Sequence, residues 1–334
     1  MKKLSKVGLS ALAGALAMTS AHAGDLSLTG SMEVTYTTGS GYQDTGNNFG
    51  QENEMTVSAS TELDNGTSVA YTRSLTAAQA GSDSELKFGT PYGDIAMTST
   101  GSPISAIDDV TPNAFEEANA QVGSIDDVNG VDGTFGIRYT LADVAGSGFT
   151  LDAMWTPVHG AGDAAADQGT AVAHGNGEGT EIVIKGSVPM VDGLNVGIGY
   201  AEMKKQTQYT TAVGASSDNQ DEGTAYATYA YGPIKVGYQV GAVSVGTSNT
   251  LYKNNYLGVS YQVTDNLSVS YNNLEASRTA TDGLRTDQEF DSFSVGYSMG
   301  GMTLSVVDQD CSKCSYTYAG RNQDETSVSL SVAF

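Results

Sequence analysis

The chain has 334 residues, of which 41 are Gly and 18 are Tyr, while only 16% are charged. With 15 basic and 38 acidic residues it carries a formal net charge of -23, which excludes nucleic acid because its phosphates would be repelled. A helical enzyme would hold more Leu, Lys and Glu than this composition offers. The acidity favours divalent cations and cationic solutes as partners, and it would equally serve to keep exposed loops soluble.

The first 23 residues are predicted to be a signal peptide. A basic head is followed by an apolar run from Val7 to Met18 and then by Ala21-His22-Ala23, the small-x-small pattern of a cleavage site. This run is too short to span a membrane as a helix, and no later stretch approaches the ~20 apolar residues that such a helix needs. We therefore expect the mature chain to begin at Gly24 and to enter an oxidising compartment.

From Gly24 onwards, short stretches alternate between apolar and polar residues with the period of two that is typical of β-strands. In chain order, the predicted strands centre on residues 26–36, 55–63, 69–75, 86–88, 95–97, 135–141, 149–155, 182–188, 194–200, 226–231, 234–240, 257–263, 267–271, 293–299, 302–306 and 328–334. Tight turns alternate with longer loops along the chain. This asymmetry, with an even strand count, is typical of bacterial outer-membrane barrels.

One face of these strands holds Val, Leu, Ile, Phe, Tyr and Met almost without charge, and the other holds polar residues. A soluble sandwich needs two apolar inner faces, whereas a membrane barrel needs an apolar exterior and tolerates a wet interior. Closure is required because lipid cannot satisfy the hydrogen bonds of an open edge. The sequence therefore predicts an all-β fold, a closed antiparallel transmembrane β-barrel of about 16 strands formed by residues 24–334.

The longest insert, residues 99–133, follows the fifth strand and contains no Lys or Arg. A structureless segment of this length is often functional. We expect it to fold inward as a constriction loop, held against the wall by Ile104, Ile107, Val110 and Phe115. Its predicted acidic lining is Asp108, Asp109, Glu116, Glu117, Asp126 and Asp127. The alternative is that these acids solvate an external loop.

Four basic residues alternate with apolar neighbours and are predicted to face the bore: Lys87, Arg138, Lys185 and Lys235. On the lipid face a charge would cost about 2–4 kcal/mol at the midplane. Opposed to the acidic insert, these bases would set up a transverse field across the bore. Arg73 falls on the opposite parity, which places it either near the rim or beside a bulge.

The remaining candidate chemistry is sparse. Cys311 and Cys314 are the only cysteines, and in an oxidising compartment a local disulfide is favoured over zinc, which needs about four ligands, with unpaired thiols as the alternative. Calcium prefers several carboxylate oxygens, so the acidic pairs Asp108-Asp109 and Asp126-Asp127 are candidate calcium sites. His159 and His174 share one Gly/Ala-rich loop, which does not favour the rigid pair of a hydrolase.

Three features make the chain similar to the general bacterial porins, most of all to the alphaproteobacterial Rhodobacter-type group. These are the opening from Gly24 to Gly30, the longest insert after the fifth strand, and the ending Ser327 to Phe334. The resemblance covers the whole mature chain and implies a homotrimer. The Pro-Glu-Phe-Gly-Gly motif of enteric porins is absent, and Pro112 to Phe115 only loosely resembles it.

These observations together predict an outer-membrane porin of a Gram-negative bacterium, in contact with membrane lipid. It would allow passive diffusion of small hydrophilic solutes and ions, with a preference for cations. The alternatives are a substrate-selective channel on the same scaffold and a plugged structural or adhesive barrel. No enzymatic activity and no cofactor other than calcium is expected.

Overall fold

The computed structural model describes residues 26–41, 47–76, 83–115, 118, 125–131, 135–159, 176–205, 219–316 and 321–334. The described residues form sixteen strands: β1 Leu26–Gly41, β2 Phe49–Glu62, β3 Ser68–Thr76, β4 Asp83–Thr90, β5 Gly93–Thr98, β6 Gly136–Leu141, β7 Phe149–Thr156, β8 Asn176–Ser187, β9 Leu194–Lys205, β10 Gln220–Tyr231, β11 Ile234–Val245, β12 Thr250–Thr264, β13 Leu267–Thr279, β14 Arg285–Met299, β15 Met302–Ser312 and β16 Gln323–Ala333. Short 3-10 turns lie at Ser105–Ile107, Val144–Gly146, Gly246–Ser248 and Cys314–Tyr316. The predicted signal peptide falls outside the described residues and stays a prediction.

Every strand pairs antiparallel with its neighbours in the chain, and β16 pairs with β1, so the sheet closes into a barrel. At the seam, the backbone amide of Gly30 donates to the carbonyl of Phe334 at 2.8 Å, and the amide of Phe334 donates back at 2.9 Å. Closure leaves no open edge whose backbone polar groups would lack hydrogen-bond partners in the bilayer. The closed all-β barrel of about 16 strands that the sequence predicts is confirmed.

The two faces of the wall differ as the alternation predicts. Val259, Tyr271 and Phe293 lie side by side on β12, β13 and β14, and all three are exposed on the outer face. Between these rows, Ser270 and Ser294 point inward, are buried, and share a hydrogen bond of 2.6 Å. The apolar rows thus face outward and the polar rows inward, which is the reverse of a sandwich core.

The connections are also unequal at the two ends of the barrel. Two-residue turns at 91–92, 232–233, 265–266 and 300–301 lie at the end where β1 begins and β16 finishes. At the other end, β5 and β6 are joined by residues 99–135. Within the described residues, no helix is long and apolar enough to cross a membrane.

Arg73 lies on the outer face, opposite Val57 on β2 and Ser84 on β4. Neither pairing contains a register shift, so the structure favours the rim over the bulge as the reason for its parity. In this row Val57 is still apolar and Ser84 is polar, so Arg73 lies at the edge of the apolar band. A long basic side chain at such a boundary can carry its charge to the polar edge of the membrane.

Candidate functional site inside the barrel

The connection between β5 and β6, which we call the inner segment (residues 99–135), lies against the inner wall wherever the structure describes it. The backbone amide of Val110 donates to Oε1 of Gln239 on β11 at 3.0 Å. The amide of Ala114 donates to Oγ of Ser270 on β13, also at 3.0 Å. These bonds replace the water that an external loop would use, so the described parts of the segment run inside the barrel.

Apolar contacts reinforce this placement. Ile104 and Ile107 are buried in one cluster with Val183 of β8 and Val243 of β11. Further along, Phe115 packs on Val307 of β15. The four apolar positions that the sequence predicts as anchors are all buried or partly buried against the wall: Ile104, Ile107, Val110 and Phe115. Each such side chain contributes about 1.5–3 kcal/mol when fully removed from water.

Glu181 on β8 ties the beginning of the inner segment to its end. Only 4% of this residue is exposed. Its carboxylate accepts a hydrogen bond from Oγ of Ser102 at 2.8 Å and one from the amide of Ile104 at 3.1 Å. The amide of Val131, on the returning limb, donates to the same carboxylate. One buried side chain therefore joins two limbs that are well separated in the chain.

Glu222 on β10 holds the returning limb from the other side. It is 3% exposed, and its Oε2 accepts from the amides of Asn129 and Gly130, both at 2.7 Å. Gly130 has a φ of 58°, and a Cβ there would lie 2.0 Å from Oε1 of Glu181. Only glycine fits between the two carboxylates, because any side chain would displace Glu181.

The acids of the inner segment differ in their access to water. Asp109 and Asp126 are exposed, whereas Asp108 and Asp127 are partly buried. Burial, together with the charges of Asp109 and Asp127, raises the pKa of Asp108 to about 8. Protein atoms around the carboxyl group of Asp109 also raise its pKa, although the residue as a whole is exposed. Burial raises the pKa of Asp127 to about 6 in spite of the hydrogen bond from the amide of Val128. At pH 7, Asp108 is therefore mostly protonated and Asp127 is mostly ionised.

Metal ligation receives no support from the geometry. Within the described parts of the chain, no three His, Cys, Asp or Glu side chains come together in a way that could hold a metal ion. Calcium at Asp108, Asp109, Asp126 and Asp127 stays a prediction. The remaining two predicted lining residues, Glu116 and Glu117, lie outside the described residues.

All four predicted basic residues lie on the inward parity, but three of them are already paired with carboxylates on the wall. The pairs are Lys87 with Asp94 at 3.5 Å, Arg138 with Glu85 at 2.5 Å and Lys185 with Asp152 at 3.7 Å. Lys235 is exposed next to the turn that opens β11. The positive charge available to oppose the inner segment is thus smaller than the sequence suggests.

Arg138 has a second role at the start of the inner segment. Its Nη1 donates to the carbonyl of Gly101 at 2.8 Å while its Nη2 bonds Glu85. Gly101 has a φ of 75°, and a Cβ there would lie 2.3 Å from Nη1. The guanidinium therefore fixes the point at which the chain leaves β5 and turns inward.

The wall at β1 and β2, which we call the bare wall, is acidic. Glu33 on β1 lies opposite Glu52 on β2, with Glu54 two residues further along β2. Oε1 of Glu54 accepts from the hydroxyls of Thr56 and Ser74, both at 2.8 Å. In the sixteen-strand ring, β2 stands eight strands away from β10, which holds the inner segment. Carboxylates therefore line both sides of the bore.

The cysteine loop touches the returning limb. The structure joins Cys311 and Cys314 in a disulfide, and both residues are buried. Next to it, the hydroxyl of Tyr316 accepts a hydrogen bond from the amide of Asp126 at 3.3 Å, and its ring lies 5.5 Å from that of Tyr252. Burial raises the pKa of Tyr316 to about 12, so this hydroxyl stays neutral.

The histidines make no catalytic arrangement in the described residues. His159 is buried, with its Nε2 3.0 Å from the carbonyl oxygen of Lys204. His174 lies outside the described residues.

Sequence reasoning missed the three side chains that do most to hold the inner segment, namely Glu181, Glu222 and Gln239. The sequence alternation does predict that each of these side chains faces inward, since each residue lies between outward-facing neighbours. Nothing in the sequence says which inward polar residues will meet another part of the chain. For Glu181 and Glu222, the available hint is an inward-facing carboxylate with no basic residue opposite it on the neighbouring strands.

A family model described as Gram-negative porin matches residues 8–309. No curated protein sequence matches the chain. Among solved structures, an anion-selective porin from Comamonas acidovorans is 15% identical with a TM-score of 0.65, covering 93% of this chain and 99% of that one. Salmonella typhi OmpF in complex with daunomycin is 13% identical with a TM-score of 0.67, covering 93% and 98%. The trimer form of OmpT from Vibrio cholerae is 12% identical with a TM-score of 0.65, covering 93% and 100%. At such identities the likeness shows the fold alone.

Proposed function

Because the chain belongs to the Gram-negative porin family, we propose that it is an outer-membrane channel for passive diffusion of small hydrophilic solutes and ions, with a preference for cations. The family and the closed barrel support the channel itself. The preference for cations is the finer part of the proposal and depends on the charges along the bore.

The observation that carries this preference is the position of carboxylates on both sides of the bore. Asp109 and Asp126 are exposed on the inner segment, and Glu33 and Glu52 stand on the opposite arc of the wall. Three of the four predicted basic residues, Lys87, Arg138 and Lys185, are neutralised by wall carboxylates. A bore with negative charge on both sides raises the local concentration of cations and repels anions.

The decisive experiment is single-channel recording of the purified, reconstituted chain under a KCl gradient. We expect stable ohmic conductance and a reversal potential on the side of cation selectivity. A reversal potential on the anion side would overturn the preference. Current blocked by one particular solute would indicate a substrate-selective channel, and silence would indicate a plugged barrel.

Replacing one carboxylate on the bare wall tests the charge argument directly. In Glu52→Gln we expect the reversal potential to move toward zero while the conductance and the solute size limit stay near wild type. Glu275→Gln is the matched control, because Glu275 pairs with Glu289 on the outer face of the barrel. An equal shift in both variants would show that general surface charge, not the bore, sets selectivity.

We also propose that three copies assemble. The Vibrio cholerae structure is described as a trimer form, and its fold matches this chain over 93% of the residues. Native mass measurement of the detergent-solubilised protein tests this proposal, and a mass of one chain would contradict it.

A further inference from the structure

We propose that Glu181 and Glu222 form a carboxylate clasp that sets the position of the inner segment and thereby the width of the bore. This inference depends on the proposed channel function and assigns positioning residues to it. Neither side chain lines the open bore, since they are 4% and 3% exposed. Their contribution is therefore made through the segment they hold.

The hydrogen bonds of Glu181 join the two ends of the inner segment. Glu181 accepts hydrogen bonds from Ser102 and Ile104 at the start of the inner segment and from Val131 at its end. The two ends are thereby tied at one point on β8. The described residues between them lie against the inner wall, so a displacement at the clasp moves both limbs.

The second carboxylate fixes the direction in which the returning limb approaches that point. Oε2 of Glu222 accepts from the amides of Asn129 and Gly130 at 2.7 Å, and Oε1 accepts from Nε2 of Gln220 at 2.7 Å. Gly130 lies between the two carboxylates, with room for a hydrogen atom but not for a methyl group. The limb is thus held from both sides.

The hydrogen-bond donors around Glu181 and Glu222 explain why carboxylates occupy these two positions. Backbone amides donate to Glu181 and Glu222, and within the described residues neither forms an ion pair with Lys or Arg. Hydrogen bonds to a charged acceptor are stronger than those between neutral groups. Such an anchor holds a segment whose described residues form no strand, because amide donors converge on it from two limbs.

The test uses the full chain in planar bilayers with Glu181→Gln, Glu222→Gln and Gly130→Ala. Glutamine keeps the size of the side chain but turns one acceptor into a donor that faces the backbone amides. We expect the fraction of time spent at larger current levels, relative to the wild-type level, to rise about tenfold or more, since each variant weakens hydrogen bonds to a charged acceptor. The size limit for neutral sugars should rise in swelling assays, and the reversal potential should move toward zero because Asp109 and Asp126 shift together with the inner segment.

Glu202→Gln is the matched control. Glu202 lies on β9 between the two clasp strands but on the outer face, where its carboxylate accepts from Asn219 at 2.6 Å. A merely structural contribution would lower assembly or heat stability in the clasp variants without changing current levels or the size limit. If Glu202→Gln produced the same larger current levels, the clasp would be refuted.

Two further measurements stay informative if a glutamine variant does not fold. Gly130→Ala keeps both carboxylates and carries the same expectation even where a glutamine variant does not assemble. In the double variant Glu181→Gln with Gly130→Ala, the effects should be non-additive, because both changes break one contact. Additive effects, or wild-type levels in every assembled variant, would overturn the clasp. A wild-type protein that never conducts would instead defeat the proposed channel.

Discussion

The inner wall of the barrel consists of two unlike arcs. On the covered arc, which runs from β8 to β15, the wall meets the inner segment through apolar contacts such as Ile104 with Val183 and through hydrogen bonds to hydroxyls such as that of Ser270 and to the buried carboxylates of Glu181 and Glu222. On what we call the bare arc, from β1 to β7, the described residues of the inner segment make contact near its two ends, such as Gly101 with Arg138 and Val131 with Met154, and the wall carries carboxylates and ion pairs such as that of Lys87 with Asp94.

The difference follows from access to water. A wall position covered by another part of the chain loses its water, so a charge there is costly unless it is well hydrogen-bonded. A position that faces a wet bore keeps its water, so charges are retained at little cost. The covered arc therefore controls the shape of the passage, and the bare arc contributes to its charge.

The largest effect is expected from removing an apolar anchor of the covered arc. Ile104→Ala should weaken the seating of the inner segment by about 2–5 kcal/mol, because a fully buried side chain leaves a cavity. The channel should then visit larger conductance levels, measured in single-channel recordings. Ile182→Ala, on the outer face of β8, is the control. If both variants behaved alike, the covered arc would have no special role.

An intermediate effect is expected from pH. Cation selectivity should rise between pH 5 and 7 as Asp127, with a pKa of about 6, loses its proton. It should rise again between pH 7 and 9 as Asp108, with a pKa of about 8, does the same. Both deprotonations add negative charge to the bore, so both increase the selectivity for cations. Reversal potentials measured from pH 5 to 9 test both rises in selectivity, and Asp108→Asn should remove only the rise between pH 7 and 9.

The smallest effect is expected from an exposed ion pair on the bare arc. Lys87 and Asp94 are 3.5 Å apart, with side chains about 40% exposed, and such pairs contribute about 0–1 kcal/mol. Lys87→Gln should leave stability and conductance near wild type and shift selectivity slightly toward cations by freeing Asp94. A large loss of stability, measured by thermal unfolding, would contradict the view that this arc carries charge and not structure.

The alternation of apolar and polar residues predicted the barrel closely. β13 and β14, for example, show their outward rows in the sequence, because a period of two places every second side chain on the same face. The anchors of the inner segment could be predicted in part. Ile104 and Phe115 stood out as apolar residues in an acidic stretch, whereas Glu181 did not stand out among other inward polar residues.

The amino-acid sequence by itself determined the strands, their outward and inward faces, and the acidic character of the long insert, since these depend on local pattern and composition. Only the tertiary structure decided which wall residues the insert meets. Glu181 and Ser102 are 79 residues apart in the chain. The inward fold of the segment after β5 and the pairing of β5 to β8 bring them together, and a local pattern contains no information about such a long-range contact.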